Sequence, residues 1–168
     1  MAVSRPEFSR IVPLRQVGAE PFRREIAAAD AEREALARRL GLLVLHRLEA
    51  EVELVRQGPA VLLRASFEAA FAQSCVVTLD PVDGVMAANF ALRYGPPEAE
   101  GEDTSEDEVA FEPLVNDFID IGEAVAQEFS LALPIFPRSP GAVLEIEEPP
   151  PEEGPLAALS RLADRQNQ

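Results

Sequence analysis

The sequence predicts an α+β fold: an antiparallel sheet of four or more strands, open or barrel-like, with two main helices and a short C-terminal helix. Three observations carry this. Apolar and polar residues alternate from about residue 47 to residue 79. Two other stretches show helical spacing between capping signals. Two proline-rich or acidic runs then separate the periodic segments. Leu, Ile, Val and Phe make up 49 of 168 residues, well above the roughly 20% below which a charged chain stays disordered. The length suits one domain, placed at residues 1–144 with a flexible acidic loop near 95–112. Residues 145–168 read as a Pro/Glu-rich linker and a short amphipathic tail.

Phe8 to Leu14 reads as a short strand, with Pro13 putting it at an edge or an end. Asp30 is placed to cap a helix over Ala31–Leu40, and Gly41 offers the left-handed stop. From Leu48 the period changes to two: Leu48, Ala50, Val52 and Leu54 alternate with charged residues. Gln57-Gly-Pro59 turns the chain into a partner strand with Val61, Leu63, Ala65, Phe67, Ala69 and Phe71 on one face, and the phase extends through Cys75, Val77 and Leu79. Asp80 to Gly84 is the next expected turn, followed by a strand from Val85 to Tyr94 with Met86, Ala88, Phe90 and Leu92 sharing a face. Asp120-Ile-Gly-Glu123 has the spacing of a capping box. The helix behind it places Ile121, Val125, Phe129 and Ala132 on one side and stops at Pro134. In the tail, Leu156, Leu159 and Leu162 line one side of two or three turns, too few to be stable alone. The expected core is Leu48, Val52, Leu54, Leu63, Phe67, Phe71, Val77, Leu79, Phe90, Ile121, Val125 and Phe129.

The net charge is −15, and it is uneven: residues 1–64 hold 11 Arg and 9 acids, residues 65–168 hold 4 Arg and 21 acids. A chain of this balance is repelled by a phosphate backbone, so any nucleic-acid contact must use the first third. Arg33, Arg38, Arg39 and Arg47 are the candidate RNA or partner contacts; the competing reading makes such arginines solvated partners of interleaved Glu. The run from Gly95 to Glu108 has 7 acids and no base, a segment that self-repels. No stretch approaches the 18 or more apolar residues that span a bilayer and the start has no apolar signal region, so a cytoplasmic protein is expected.

Chemistry-bearing motifs are sparse. There is no Gly-rich phosphate loop, no H-E-x-x-H and no G-x-S-x-G. One Cys and one His exclude a disulfide framework and the usual zinc ligand sets. By parity His46 faces the apolar side of its strand or its margin, and Cys75 reads as a small buried hydrophobe with no adjacent cation to activate it. Neither a cofactor nor a catalytic residue is assigned.

Four blocks resemble the YceD family of bacterial large-ribosomal-subunit rRNA accumulation proteins: Glu32 to Gly41, Ala72 to Val82, Phe118 to Arg138, and Gly154 to Leu162. The motif positions they contain are Cys75, Leu79, Asp80, Pro81, Asp120, Gly122, Glu123, Pro134 and Pro137. Many members carry a C-x-x-C pair where this chain has Cys75-Val-Val-Thr78, and some add a later Cys with no counterpart after Arg138, so metal binding in those relatives does not carry over. The resemblance implies a non-enzymatic factor that supports 23S rRNA accumulation and large-subunit assembly. The charge favours a large-subunit ribosomal protein or assembly factor as partner over direct contact with 23S precursor rRNA. A metal-dependent rRNA-processing hydrolase and an acidic adaptor unrelated to ribosomes are the rival readings.

Overall fold

The structure, a computed structural model, describes residues 6–96, 109–114 and 116–143. Among the described residues nine strands and α-helices follow in order: β1 (Ile11–Pro13), β2 (Phe22–Ala27), α1 (Asp30–Leu40), β3 (Val44–Gln57), β4 (Ala60–Ser74), β5 (Pro81–Gly95), β6 (Ala110–Pro113), β7 (Phe118–Asp120) and α2 (Ile121–Ala132). The main sheet has the order β2-β3-β4-β5-β6, and β1 with β7 forms a separate antiparallel pair. The fold is α+β as expected, and the sheet is open. It is also mixed, because β6 runs parallel to β5, which corrects the all-antiparallel expectation: the 14 residues of sequence between Gly95 and Ala110 exceed the dozen or so that a parallel pairing needs. The tail and most of the acidic run lie outside the described residues.

The long hairpin forms where the alternation predicts it. Gly58 has φ 60 and is followed by Pro59, whose φ is fixed near −65°. Positive then negative φ is the pattern of a type II′ turn, whose twist matches the flanking strands. The register Leu48↔Ala69, Ala50↔Phe67, Val52↔Ala65 and Leu54↔Leu63 puts the apolar set of both strands on one face, all buried. On α1, Gly41 adopts φ 67 and the Leu42 N–H donates to the Ala37 carbonyl at 2.9 Å. This bond, with Leu42 and Ala37 both buried, makes a Schellman stop.

Several expectations shift for local reasons. Asp30 is the first helical residue rather than the cap. Ala29 holds the cap position, and its N–H donates to Glu32 Oε2 at 2.8 Å. The register slips between Leu45 and Arg47; this bulge inserts one residue, so Leu45 is buried and His46 exposed, the reverse of the parity reading. β4 ends at Ser74, and residues 75–80 form the turn, closed by Cys75 N–H to Asp80 O at 2.8 Å. Leu79 sits there with φ 64 and is 76% exposed, and Val77 is only half-buried. Both therefore leave the expected core, and β5 begins at Pro81 rather than after Gly84. β5 extends to Gly95 and β6 occupies Ala110–Pro113, so both strands enter the span 95–112 expected as a loop. Ala132 is exposed at the end of α2. Periodicity missed β2 because it is an edge strand that buries only Ile26, and β6 and β7 because they are 4 and 3 residues long.

The core lies between one face of the sheet and the helices. The Phe129 ring of α2 meets Phe67 and Phe71 edge-on, with centroids 6.0 and 5.6 Å apart, and Phe67 also contacts Phe90 at 6.3 Å. Leu36 and Ala37 of α1 enter the same core. Gly84 lies over the Phe71 ring, where a Cβ would come within 2.7 Å of the ring edge. Replacing Phe67, 2% exposed, with Ala should lower stability by about 3–5 kcal/mol in denaturant melts. At Gly122, any Cβ would overlap the Phe8 carbonyl and come to 3.0 Å from Arg10 N. Gly122→Ala should therefore cost about 1–3 kcal/mol by the same measurement, despite the better helix propensity of Ala.

Candidate interaction site

Three places bring polar or charged side chains together. The first is at the start of α2. Asp120 accepts from the Gly122 and Glu123 N–H groups at 3.2 Å each, from Arg10 N–H at 2.7 Å and from the Ser9 hydroxyl at 2.6 Å. The expected capping box is half formed, because Glu123 does not reach back. Its carboxylate receives Arg39 at 2.7 and 2.9 Å instead. Arg39 also binds Glu7 at 3.0 Å, so one guanidinium ties the N-terminal segment, α1 and α2 together. Arg10 pairs with Glu32 through both of its terminal nitrogens, at 2.6 and 2.8 Å. That pairing holds the Glu32 carboxyl below the ordinary value of 4.5. These are structural contacts, and they account for Asp120, Gly122 and Glu123 by packing and capping.

The second place is the turn after β4. Cys75 is fully buried. Its Sγ accepts from the Ser139 N–H at 3.3 Å and hydroxyl at 3.5 Å, and from the Val77 and Thr78 N–H groups at 3.4 Å each. The segment Pro134–Ser139 is anchored there by Val76 N–H to Pro137 O at 2.9 Å and by Gln73 Nε2 to Pro134 O at 3.1 Å. Donors converging on sulfur stabilise its anion, and hydrogen bonds from Ser139 and Thr78 lower the thiol pKa to about 6. Cys75 is buried as the sequence predicts, and hydrogen bonds rather than a cation lower its pKa. Ser139 stands in the position after Arg138. One thiolate with the hydroxyls of Thr78 and Ser139 supplies a single strong ligand for a soft metal, so a zinc ion does not fit this donor set. Of the motif positions, Asp80 and Pro81 close the turn and open β5, whereas Leu79 points to solvent.

The third place is the face of the sheet opposite the helices. It is concave, and two adjoining hollows of about 1150 and 680 Å³ share Glu25, Glu51, Ser66 and Asn89. Those four side chains form one row across the sheet, since Glu25 pairs with Glu51, Glu51 with Ser66 and Ser66 with Asn89. In the next row Glu49 lies opposite Glu68. Arg47, between them in space, contacts them at 3.7 and 3.1 Å. Arg23 pairs with Glu53 at 2.8 Å. Periodicity marked this face as wet but could not show that it is hollow.

The candidate arginines are not gathered into one basic patch. Arg33 binds Asp30 and the Ala28 carbonyl, Arg39 is held by Glu7 and Glu123, Arg47 lies on the sheet, and Arg38 is exposed on α1. Elsewhere Glu128 is pushed above its ordinary value by burial and by Glu112, and burial raises the Tyr94 phenol. Among the described residues no three His, Cys, Asp or Glu side chains gather as metal ligands.

The chain's one thiol makes a titration easy to read. Its thiolate absorbance should rise with a midpoint near pH 6, and Ser139→Ala should move that midpoint upward. Because the folded state favours the anion, stability should also climb with pH from about 6 toward the ordinary thiol value of 9.0. Cys75→Ser should abolish that climb in melts run between those values.

No curated protein and no solved structure matches the chain at a significant level. The model of one family does, over residues 63–164, from near the start of β4 through α2 and beyond. A match over more than half of the sequence establishes the relationship that the sequence blocks suggested: the chain belongs to the YceD family, described as large ribosomal RNA subunit accumulation protein.

Proposed function

We propose that this protein is a non-enzymatic factor supporting 23S rRNA accumulation and assembly of the large ribosomal subunit in the cytoplasm, acting by binding a basic ribosomal or assembly protein. The family relationship over residues 63–164 carries the ribosomal part of this reading. Charge supports the protein-mediated route. Strong phosphate binding needs clustered, available cations, whereas here Arg10, Arg23, Arg33, Arg39 and Arg47 each face a carboxylate of the same chain. A net charge of −15 both repels RNA and steers basic proteins. By this route the rRNA is protected through its bound protein.

The test is affinity purification of the tagged full chain at low and moderate salt, with and without RNase, together with the ratio of 23S to 16S rRNA in depleted cells. Large-subunit proteins should be retained after RNase treatment, and depletion should lower 23S selectively. RNase-sensitive retention would move the contact to RNA. Retention of no ribosomal component would overturn the proposal, and Mg²⁺-dependent cleavage of precursor rRNA by the pure protein would replace it with the hydrolase reading.

A further inference from the structure

We infer that the concave sheet face is the docking surface for an extended, arginine- or lysine-rich segment of a protein partner. The inference rests on the protein-partner reading above and gives it a location.

Four features of this face support it. No described element covers it, although its other side is packed by both helices. Its floor is kept low by small side chains, Ala27, Ser66, Ala87 and Ala91, so a chain can lie against the strands. The hollow of about 1150 Å³ is of the size that holds several side chains. The larger hollow carries both signs, lined by Arg23, Arg24 and Arg64 as well as Glu25, Glu51 and Glu53, whereas the charged residues lining the smaller one, Glu25, Glu49, Glu51 and Glu68, are all acidic and suit a cation. Glu25 and Glu51 are cross-strand neighbours, and among the described residues neither carboxylate has a cationic partner. Glu49 and Glu68 are a second opposed pair, both contacted by Arg47.

Like charges directly opposite one another destabilise a sheet, so a strand pair optimised for folding alone would not place them in successive rows. A guanidinium lying along the Glu25–Glu51–Ser66–Asn89 row would meet two carboxylates and then neutral acceptors. Arginine suits this best, because its fork binds carboxylates through two parallel hydrogen bonds. Nucleic acid is the wrong occupant of the smaller hollow for the same reason: its phosphates would face the carboxylates of Glu25 and Glu51.

The probe is a fluorescein-labelled twelve-residue peptide of alternating Arg and Ala, titrated with the full chain and read by anisotropy. The trough variant is Glu25→Gln/Glu51→Gln/Glu68→Gln. Its control is Glu20→Gln/Glu34→Gln/Asp117→Asn, which changes the net charge equally at exposed sites away from the hollow. The trough variant should weaken binding tenfold or more and the control less than twofold. Removing opposed carboxylates should leave the trough variant folded, with a melting temperature at or above that of the parent. Equal weakening by both variants, or no binding by the parent, would overturn the inference. So would binding of a 23S fragment that the trough variant reduces. The same variants in the pull-down separate the two proposals. Ribosomal retention that survives the trough changes leaves the function standing and removes this surface. Peptide binding lost in the trough variant without ribosomal retention in the parent leaves the surface and removes the ribosomal reading.

Discussion

The architecture depends on a clasp at the start of α2, where one carboxylate takes four donors. Asp120 receives two helix amides, the Arg10 amide and the Ser9 hydroxyl, and Gly122 lets the backbone of Phe8 approach so closely that no other residue fits. From there Arg10 reaches Glu32 on α1, and Arg39 of α1 returns to Glu123 of α2. Two helices and the N-terminal segment are thus locked by charges that are each partnered. Phe8, Val12, Ile119 and Ile121 become fully or almost fully buried beneath them. Loosen the clasp and α2 loses both its cap and its position, and with it Phe129, the ring that fills the centre of the sheet.

Sequence periodicity read the central hairpin well because both of its strands are long and wet on one side. The alternation from Leu48 to Leu54 and from Val61 to Phe71 holds in the register residue for residue. It failed where the backbone broke period. The bulge at His46 inverted the parity of the residues before it, and the turn at Cys75 took the place of an imagined continuation of β4. Short or edge strands such as β2 and β6 carry too few buried positions to signal themselves. The polar contacts were harder still. Ser9 and Asp120 are separated by 111 residues and Cys75 and Ser139 by 64, and no local pattern encodes such a meeting. The row Glu25–Glu51–Ser66–Asn89 needs three registers to be known at once.

The two sides of the sheet divide the work. The helical side holds the aromatic cluster and the ion pairs of Arg10 and Arg39, and explains most of the motif positions in the second half of the chain as caps, stops and close contacts. The open side contributes nothing to the core and keeps carboxylates in unfavourable apposition. The family match begins within β4, so β2 and β3, which supply Glu25 and Glu51, come from the part of the chain that precedes it.

The order of the main sheet also bears on how the chain folds during synthesis. Strands β2 to β5 are neighbours in space in the same order as in sequence, so β3, β4 and β5 can close through successive hairpins as they emerge, with β2 joined to β3 across α1. Its cover comes later: Ile121, Val125 and Phe129 follow β5 by some thirty residues, and β1 must wait for β7 to pair. A growing chain halted before residue 120 would therefore present Phe67, Phe71 and Phe90 on an uncovered sheet, a form prone to association. The carboxylates on its opposite face and the acidic run after Gly95 would be present by then, supplying the like-charge repulsion that keeps such intermediates apart.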